Sequence, residues 1–330
     1  MRARQDEDMQ GGDEQGGDMQ DVARRGSVGL DIGGTKVLGV LLDASGAVRH
    51  EVRLPTATGG PGVVATAASA VRELAHLAGV PVARLGGVGA GVPGVVDPVE
   101  GCVEHAVNLG IESAFPLARM LGEALDGVQV HLENDLNAAV LGAAHVSPEP
   151  VRDLAFLALG TGVAAGLLLD GTLRRGATRS AGEIGHVTIV PGGRACSCGQ
   201  LGCLERYASG SAIAQAWPSP GEGRPAPVEL FAAAAAGDPR AVAVRDEVAW
   251  AVGAAVRVLV LTCDVEHVVI GGGVSALGAP LLDVVVESLV RESKSSPFLA
   301  SMRIEDRVRL APRGVPVGAV GAALVGRGES

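Results

Sequence analysis

His186, Cys196, Cys198 and Cys203 fall in one stretch, EIGHVTIVPGGRACSCGQLGCLE, which two glutamates, Glu183 and Glu205, bracket. One imidazole and three thiolates suffice to close a tetrahedron, so the spacing predicts a structural Zn²⁺ site with no open position. Free thiols in a loop beside a hydrogen-bonded His186 are the plain alternative. A redox pair is a third reading, although Cys196-x-Cys198 lacks the usual two-residue gap. Cys102 and Cys263 stand in apolar surroundings and read as inert. A metal here would fix Glu183 and Glu205 in space beside its outer ligands. Carboxylates accept charge-assisted hydrogen bonds from hydroxyl groups, so the stretch reads as part of a polyol pocket.

A second group of residues suits phosphate. In LDIGGTK (Leu30–Lys36), the Gly33-Gly34 turn lets backbone N–H groups approach an anion, and Thr35 and Lys36 add polar contacts. Asp31, at the strand end, is placed to hold Mg²⁺ through water. LGTG repeats the strand-turn-strand pattern with Gly160, Thr161 and Gly162. IGGGVS runs an apolar strand into Gly271, Gly272 and Gly273 at a helix start, a setting for an anion or a flat ring. Each is equally an ordinary turn when taken alone, and none matches the P-loop or G-x-G-x-x-G. Three in this order carry the reading. In ENDLNAA, Asn134 and Asp135 stand where a strand gives way to a helix. Both residue types cap helices. A carboxylate there could instead take a proton from a substrate hydroxyl, worth roughly 10²–10⁴ in rate.

Periodicity supplies the elements that must position these groups. SVGLDIG and KVLGVLLD read as strands around the first glycine turn, with a third near 47–54. Residues 62–77 carry Val63, Ala67, Val71 and Leu74 at helical spacing. GVGAGVPG and VQVHL read as buried strands and 117–125 as a helix. LNAAVLGAA reads as an Ala-rich helix. DLAFLALG and VAAGLLLD are strands, followed mainly by helices (228–236, 239–262 and one after Ser275) around the strand HVVIGGG. Strand hairpins followed by strand-helix alternation indicate an α/β fold with mixed sheets.

Composition narrows the function classes. The 27 basic and 37 acidic residues give a net charge of −10, which argues against a nucleic-acid surface. No apolar run reaches the roughly 18 residues of a membrane span. The N-terminus lacks an apolar signal core, so the expected place is the cytoplasm. With 2% aromatics, the core must be built from Ala, Val and Leu. Residues 1–25 are polar and acidic, too poor in apolar side chains to offset ordering entropy, and read as a disordered tail. That tail is also too short for a helix-turn-helix domain.

Together these motifs resemble the ROK family of sugar kinases and sugar-responsive repressors, within the actin-like ATPase superfamily. LDIGGTK and LGTG are similar to its two phosphate loops, IGGGVS to its adenosine-side motif, and ENDLNAA to the block bearing the catalytic Asp, here Asp135. EIGH followed by CSCGQLGCLE is similar to its zinc and sugar stretch. The resemblance runs from about Ser27 to the C-terminus. It implies a two-lobed, ribonuclease H-like fold with a cleft between the lobes. The first lobe would span 26–136, completed by a C-terminal helix (about 315–330), and the larger second lobe 137–314. Sugar would lie among Gly94, Asn108, Asn134, Asp135, Glu183, His186 and Glu205, with Mg-ATP mostly on the second lobe.

The implied reaction is phosphorylation of the 6-hydroxyl of a hexose, glucose by default, with Asp135 as general base. N-acetylmannosamine, N-acetylglucosamine, fructose, kanosamine or a cyclitol would suit the same chemistry. IGGGVS favours a nucleotide over polyphosphate as donor. A repressor lacks support without a helix-turn-helix domain, and a non-catalytic sensor rests only on Ala164 and Ala165. Those two place methyl groups beside the second loop, where the family usually has more glycine. The family's habit implies a dimer or tetramer, for which the apolar helix 239–262 offers a surface.

Overall fold

The computed structural model describes residues 26–218 and 223–329; the tail expected to be disordered lies outside the described residues. Ser27–Ile32 (β1), Lys36–Leu42 (β2) and Val48–Pro55 (β3) form an antiparallel meander. Val88–Val92 (β4) pairs parallel to β1, and Val130–Asn134 (β7) parallel to β4, giving the order β3-β2-β1-β4-β7. Between β4 and β7, Val95–Asp97 (β5) and Cys102–Glu104 (β6) make a small hairpin. The second sheet repeats the plan. Leu154–Leu159 (β8), Val163–Leu169 (β9) and Thr172–Leu173 (β10) are antiparallel, and His267–Gly271 (β11) and Val308–Leu310 (β12) add in parallel. Its order is β10-β9-β8-β11-β12. These are the two α/β lobes with mixed sheets that the motifs imply.

Helices cover the sheets. Gly60–Leu77 (α1) buries Val63, Ala67, Val71 and Leu74, the stripe read from spacing, and packs with Leu117–Ala124 (α2) on the first sheet. Asp135–His145 (α3) leaves β7 directly and reaches β8 and β9 of the second sheet. Glu205–Ala208 (α4), Gly210–Ala216 (α5), Ala226–Ala235 (α6), Pro239–Cys263 (α7) and Ala279–Ser293 (α8) enclose the other core, with Pro297–Met302 (α9) following α8. Asp238 caps α7 by accepting from Arg240 N and Ala241 N at 2.8 and 3.0 Å. The apolar residues of α7 are mostly buried within this chain, against α6 and α8, and Leu261 is exposed.

The last described helix, Val317–Gly326 (α10), returns to the first sheet. It lies so close to β1 and β4 that a Cβ on Gly29 would stand 1.9 Å from Ala319 O, and one on Gly89 1.9 Å from Ala322 O. It also abuts α3 backbone to backbone, where a Cβ on Gly321 would stand 1.7 Å from Ala138 O. Glycine and alanine therefore set the joint between the lobes. Among the described residues no helix is long and apolar enough to cross a membrane.

Candidate active site

Asp135 opens α3 at the end of β7, and the capping question raised by ENDLNAA resolves between neighbours. The Asn134 side chain is the cap, accepting from Leu136 N at 3.0 Å and Asn137 N at 3.4 Å. Its Nδ2 donates to Gly94 O at 3.2 Å, which ties α3 to the turn after β4. Asp135 is thus spared for other work, and Leu136 N donates to its Oδ1 at 2.9 Å.

Burial pushes the Asp135 carboxyl up to about 6, with the charges of Asp31 and Glu183 adding to the effect and the Leu136 amide opposing it. Burial raises Asp31 likewise, partly offset by Lys36. So Asp31, from β1, and Glu183, from the strap after β10, each come within electrostatic reach of Asp135. Asp31 and Asp135 line a cavity of about 540 Å³ together with Ala158, Gly271 and Gly272. Gly273 and the Gly160–Gly162 loop lie outside that wall.

The first glycine turn is held from two sides. Thr56 Oγ1 donates to Gly33 O at 2.6 Å, and a Cβ on Gly34 would stand 2.7 Å from Asn108 O. Asn108, expected to touch the sugar, therefore rests on the first glycine turn. Thr35, Lys36 and Thr161 are exposed. The second turn, Gly160–Gly162, closes the β8–β9 hairpin. Gly210 N donates to Gly160 O at 2.8 Å, and Val163 N donates to Glu205 Oε2 at 3.1 Å. One carboxylate oxygen of Glu205 is thus engaged by the loop. Ala165 points into the core and Ala164 faces Ala158 across the hairpin, so neither methyl group belongs to the turn itself.

The donor atoms of His186, Cys196, Cys198 and Cys203 all lie within 4.8 Å of one another, close enough to hold a metal ion. Cys196 Sγ is 3.8 Å from His186 Nδ1, and Cys198 Sγ is 3.6 Å from Cys203 Sγ. His186 meets Cys196 through Nδ1.

Two ion pairs in this region lie beyond the reach of motif spacing. Glu133, 2% exposed, takes Arg175 Nε and Nη2 on Oε2 at 2.8 and 2.6 Å. Its Oε1 accepts from Asn134 N and Asn137 Nδ2, both at 2.9 Å. Arg179 pairs with Asp97 of β5 at 2.7 Å. Both arginines belong to the strap from β10 to Glu183, which they tie to the first lobe. The strap is tight: at Gly182, with φ +96°, a Cβ would stand 1.8 Å from Ala165 O. The ENDLNAA motif contains Glu133, but its partner lies 42 residues away and nothing local announces it.

Comparison with known proteins bears on this arrangement. The model of the ROK family matches residues 27–328. The glucokinase of Halalkalibacterium halodurans is 32% identical over 318 residues, covering 91% of this chain and 94% of that protein. The N-acetylmannosamine kinase of Salmonella arizonae is 32% identical over 309 residues, covering 92% and 99%. A solved ROK family glucokinase from Streptomyces griseus, in complex with glucose and AMPPNP, is similar with a TM-score of 0.74 and 31% identity. That match covers 92% of this chain and 99% of the other. The two lobes therefore have the actin-like ATPase fold. With its cleft carboxylates, glycine turns and Cys/His cluster, the chain belongs to the ROK family and is a sugar kinase.

Proposed function

We propose that the chain transfers the γ-phosphoryl group of ATP to the 6-hydroxyl of a hexose, glucose first, with Asp135 as general base. The observation that carries this reading is Asp135 itself: a carboxylate in the cleft, free of capping duty and held at about 6. A base of that strength is ionised at neutral pH and basic enough to accept a hydroxyl proton as the oxygen attacks phosphorus. Glu183, His186 Nε2 and the free oxygen of Glu205 would bind sugar hydroxyls, with Gly94 and Asn108 on the facing side. Asn134 acts chiefly by holding the start of α3.

Asp31 and Asp135 offer hard oxygen donors whose mutual repulsion a divalent cation would relieve, which fits Mg²⁺. When bound, Mg²⁺ would neutralise charge on the phosphoryl oxygens. The amides of Gly33–Lys36 and Gly160–Gly162 would cradle those oxygens, and Gly271–Gly273 the adenosine. Three thiols and an imidazole at these separations fit Zn²⁺ in tetrahedral coordination. Its role would be structural, fixing Glu183 and Glu205.

ADP release from MgATP across a panel of hexoses, amino sugars and cyclitols, with Asp135→Asn in parallel, tests this. Turnover on glucose, lost in the variant, is expected. Turnover confined to N-acetylmannosamine would move the substrate, a reading favoured by that kinase relative at equal identity. Silence on every acceptor would refute the kinase reading.

A further inference from the structure

The 540 Å³ cavity has two unlike ends. Gly318, at the start of α10, marks one: a Cβ there would stand 3.0 Å from Asp31 Oδ2. Arg313 marks the other: a Cβ on Gly278, just before α8, would stand 1.9 Å from Arg313 Nη2. The loop 311–318 thus runs along the cavity from its carboxylate end to a guanidinium. The same lining includes the small residues Gly272, Ser275 and Ala276. Phe156 is the only aromatic lining residue, and its ring packs under Gly271, where a Cβ would stand 2.2 Å from it.

Arg313 is also the only basic residue in the lining. Its guanidinium makes no ion pair or hydrogen bond among the described residues. The three arginines just before it are engaged: Arg303 with Asp306, Arg307 with Asp264 at 2.8 Å, and Arg309 with Asp306 O at 2.6 Å. An unspent planar cation that shares its cavity with small side chains suits a planar ring. Guanidinium groups stack on aromatic faces, and purines present such faces.

We infer that Arg313 stacks on the nucleobase of the phosphoryl donor, pinning it against Gly272 and Ala276, and so makes this enzyme select a nucleotide over a bare phosphate chain. The inference rests on the nucleotide reading given above and adds the residue that enforces it. The base lies at the Arg313 end, and the phosphates point toward Asp31 and Asp135. Arg313 contributes to donor affinity through the ring and not through phosphate charge.

Calorimetric titration of the full chain with MgATP, and separately with magnesium tripolyphosphate, separates these roles. Arg313→Ala should weaken ATP about 3- to 30-fold, the range from an exposed to a desolvated cation–π contact. Tripolyphosphate affinity should not change. Arg313→Lys keeps the charge without the planar face and should recover only part of the loss. Arg313 is exposed, so the fold should survive either change, and an unchanged melting temperature verifies it. Equal weakening of both ligands, or full recovery by lysine, would mean that Arg313 holds phosphate and would overturn the inference. ATP affinity unchanged in Arg313→Ala would overturn it while leaving the nucleotide reading intact. Wild-type protein that binds tripolyphosphate and not ATP would defeat both.

Discussion

Replacing Asp135 with asparagine should sharply reduce turnover and at the same time make the protein more stable. In the folded chain the carboxyl titrates at about 6 instead of 3.8, because burial and the charges of Asp31 and Glu183 disfavour the anion. A raised carboxyl pKa means that the folded state resists ionisation, so its stability contribution is intact below about pH 4 and is lost as pH rises to about 6. The resulting penalty is about 3 kcal/mol at pH 8, falling to about half of that at pH 5. Asparagine keeps an oxygen for the Leu136 amide and carries no charge, and the Asn134 cap is untouched. For a chain of this size the gain is a rise in melting temperature of about 5 °C at pH 8. Urea unfolding of both proteins at pH 5 and pH 8, without added magnesium, measures the gap directly. If Asp135→Asn is no more stable than wild type at pH 8, or if its advantage is the same at both pH values, the buried carboxylate carries no such penalty. Activity should fall by roughly 10²–10⁴, the usual worth of a general base.

Further expectations concern the surroundings of that carboxylate. The acid limb of kcat/KM should fall tenfold per pH unit below about pH 6, since only ionised Asp135 accepts a proton; a flat profile from pH 5 to 7 would remove it as the base. Glu133→Ala strands Arg175 and two amide donors, and should lower stability by about 3–5 kcal/mol. Arg179→Gln breaks a more exposed pair and should change it far less; urea midpoints distinguish the two. Wild-type protein should carry one equivalent of zinc by atomic absorption, and Cys203→Ser should lose both the metal and the turnover. Gly34→Ala drives a methyl group into Asn108 O and should lower kcat/KM for sugar and donor together, by about 10²-fold. An effect on one substrate alone would show that the turn and Asn108 act separately.

Much of this site lies open in the sequence because its groups come in short local runs. Glycine turns between apolar strands, and three cysteines and a histidine within one stretch, are spacing signals, and the chain brings those four side chains within 4.8 Å of one another. ENDLNAA leaves two roles open for two residues, and only geometry divides them, giving the cap to Asn134 and leaving Asp135 free. What stays hidden depends on contacts between distant segments. Arg175 meets Glu133, Arg179 meets Asp97, and Gly34 touches Asn108, with no periodicity to link any of them. The hairpin β5–β6 and the strand β12 escape for a different reason: three residues are too few for alternation to register. Glu205 shows its role only in part through its place in the motif, since one of its oxygens is engaged by the second turn.

The seating of α10 on β1 and β4 has a consequence for how the protein is made. The strands of the first sheet are complete once Asn134 has been synthesised, yet part of their inner face belongs to a helix that begins at Val317. At ribosomal speeds of about 5–20 residues per second, the intervening chain takes roughly 10–40 s to appear. During that interval Gly29 and Gly89 present bare backbone, flanked by apolar strands, to solvent or to a chaperone. The second lobe suffers no such delay, since its strands and covering helices all precede α10. Nascent chains should therefore acquire a protease-resistant second lobe first, and the first lobe should seal only once α10 has emerged from the ribosome.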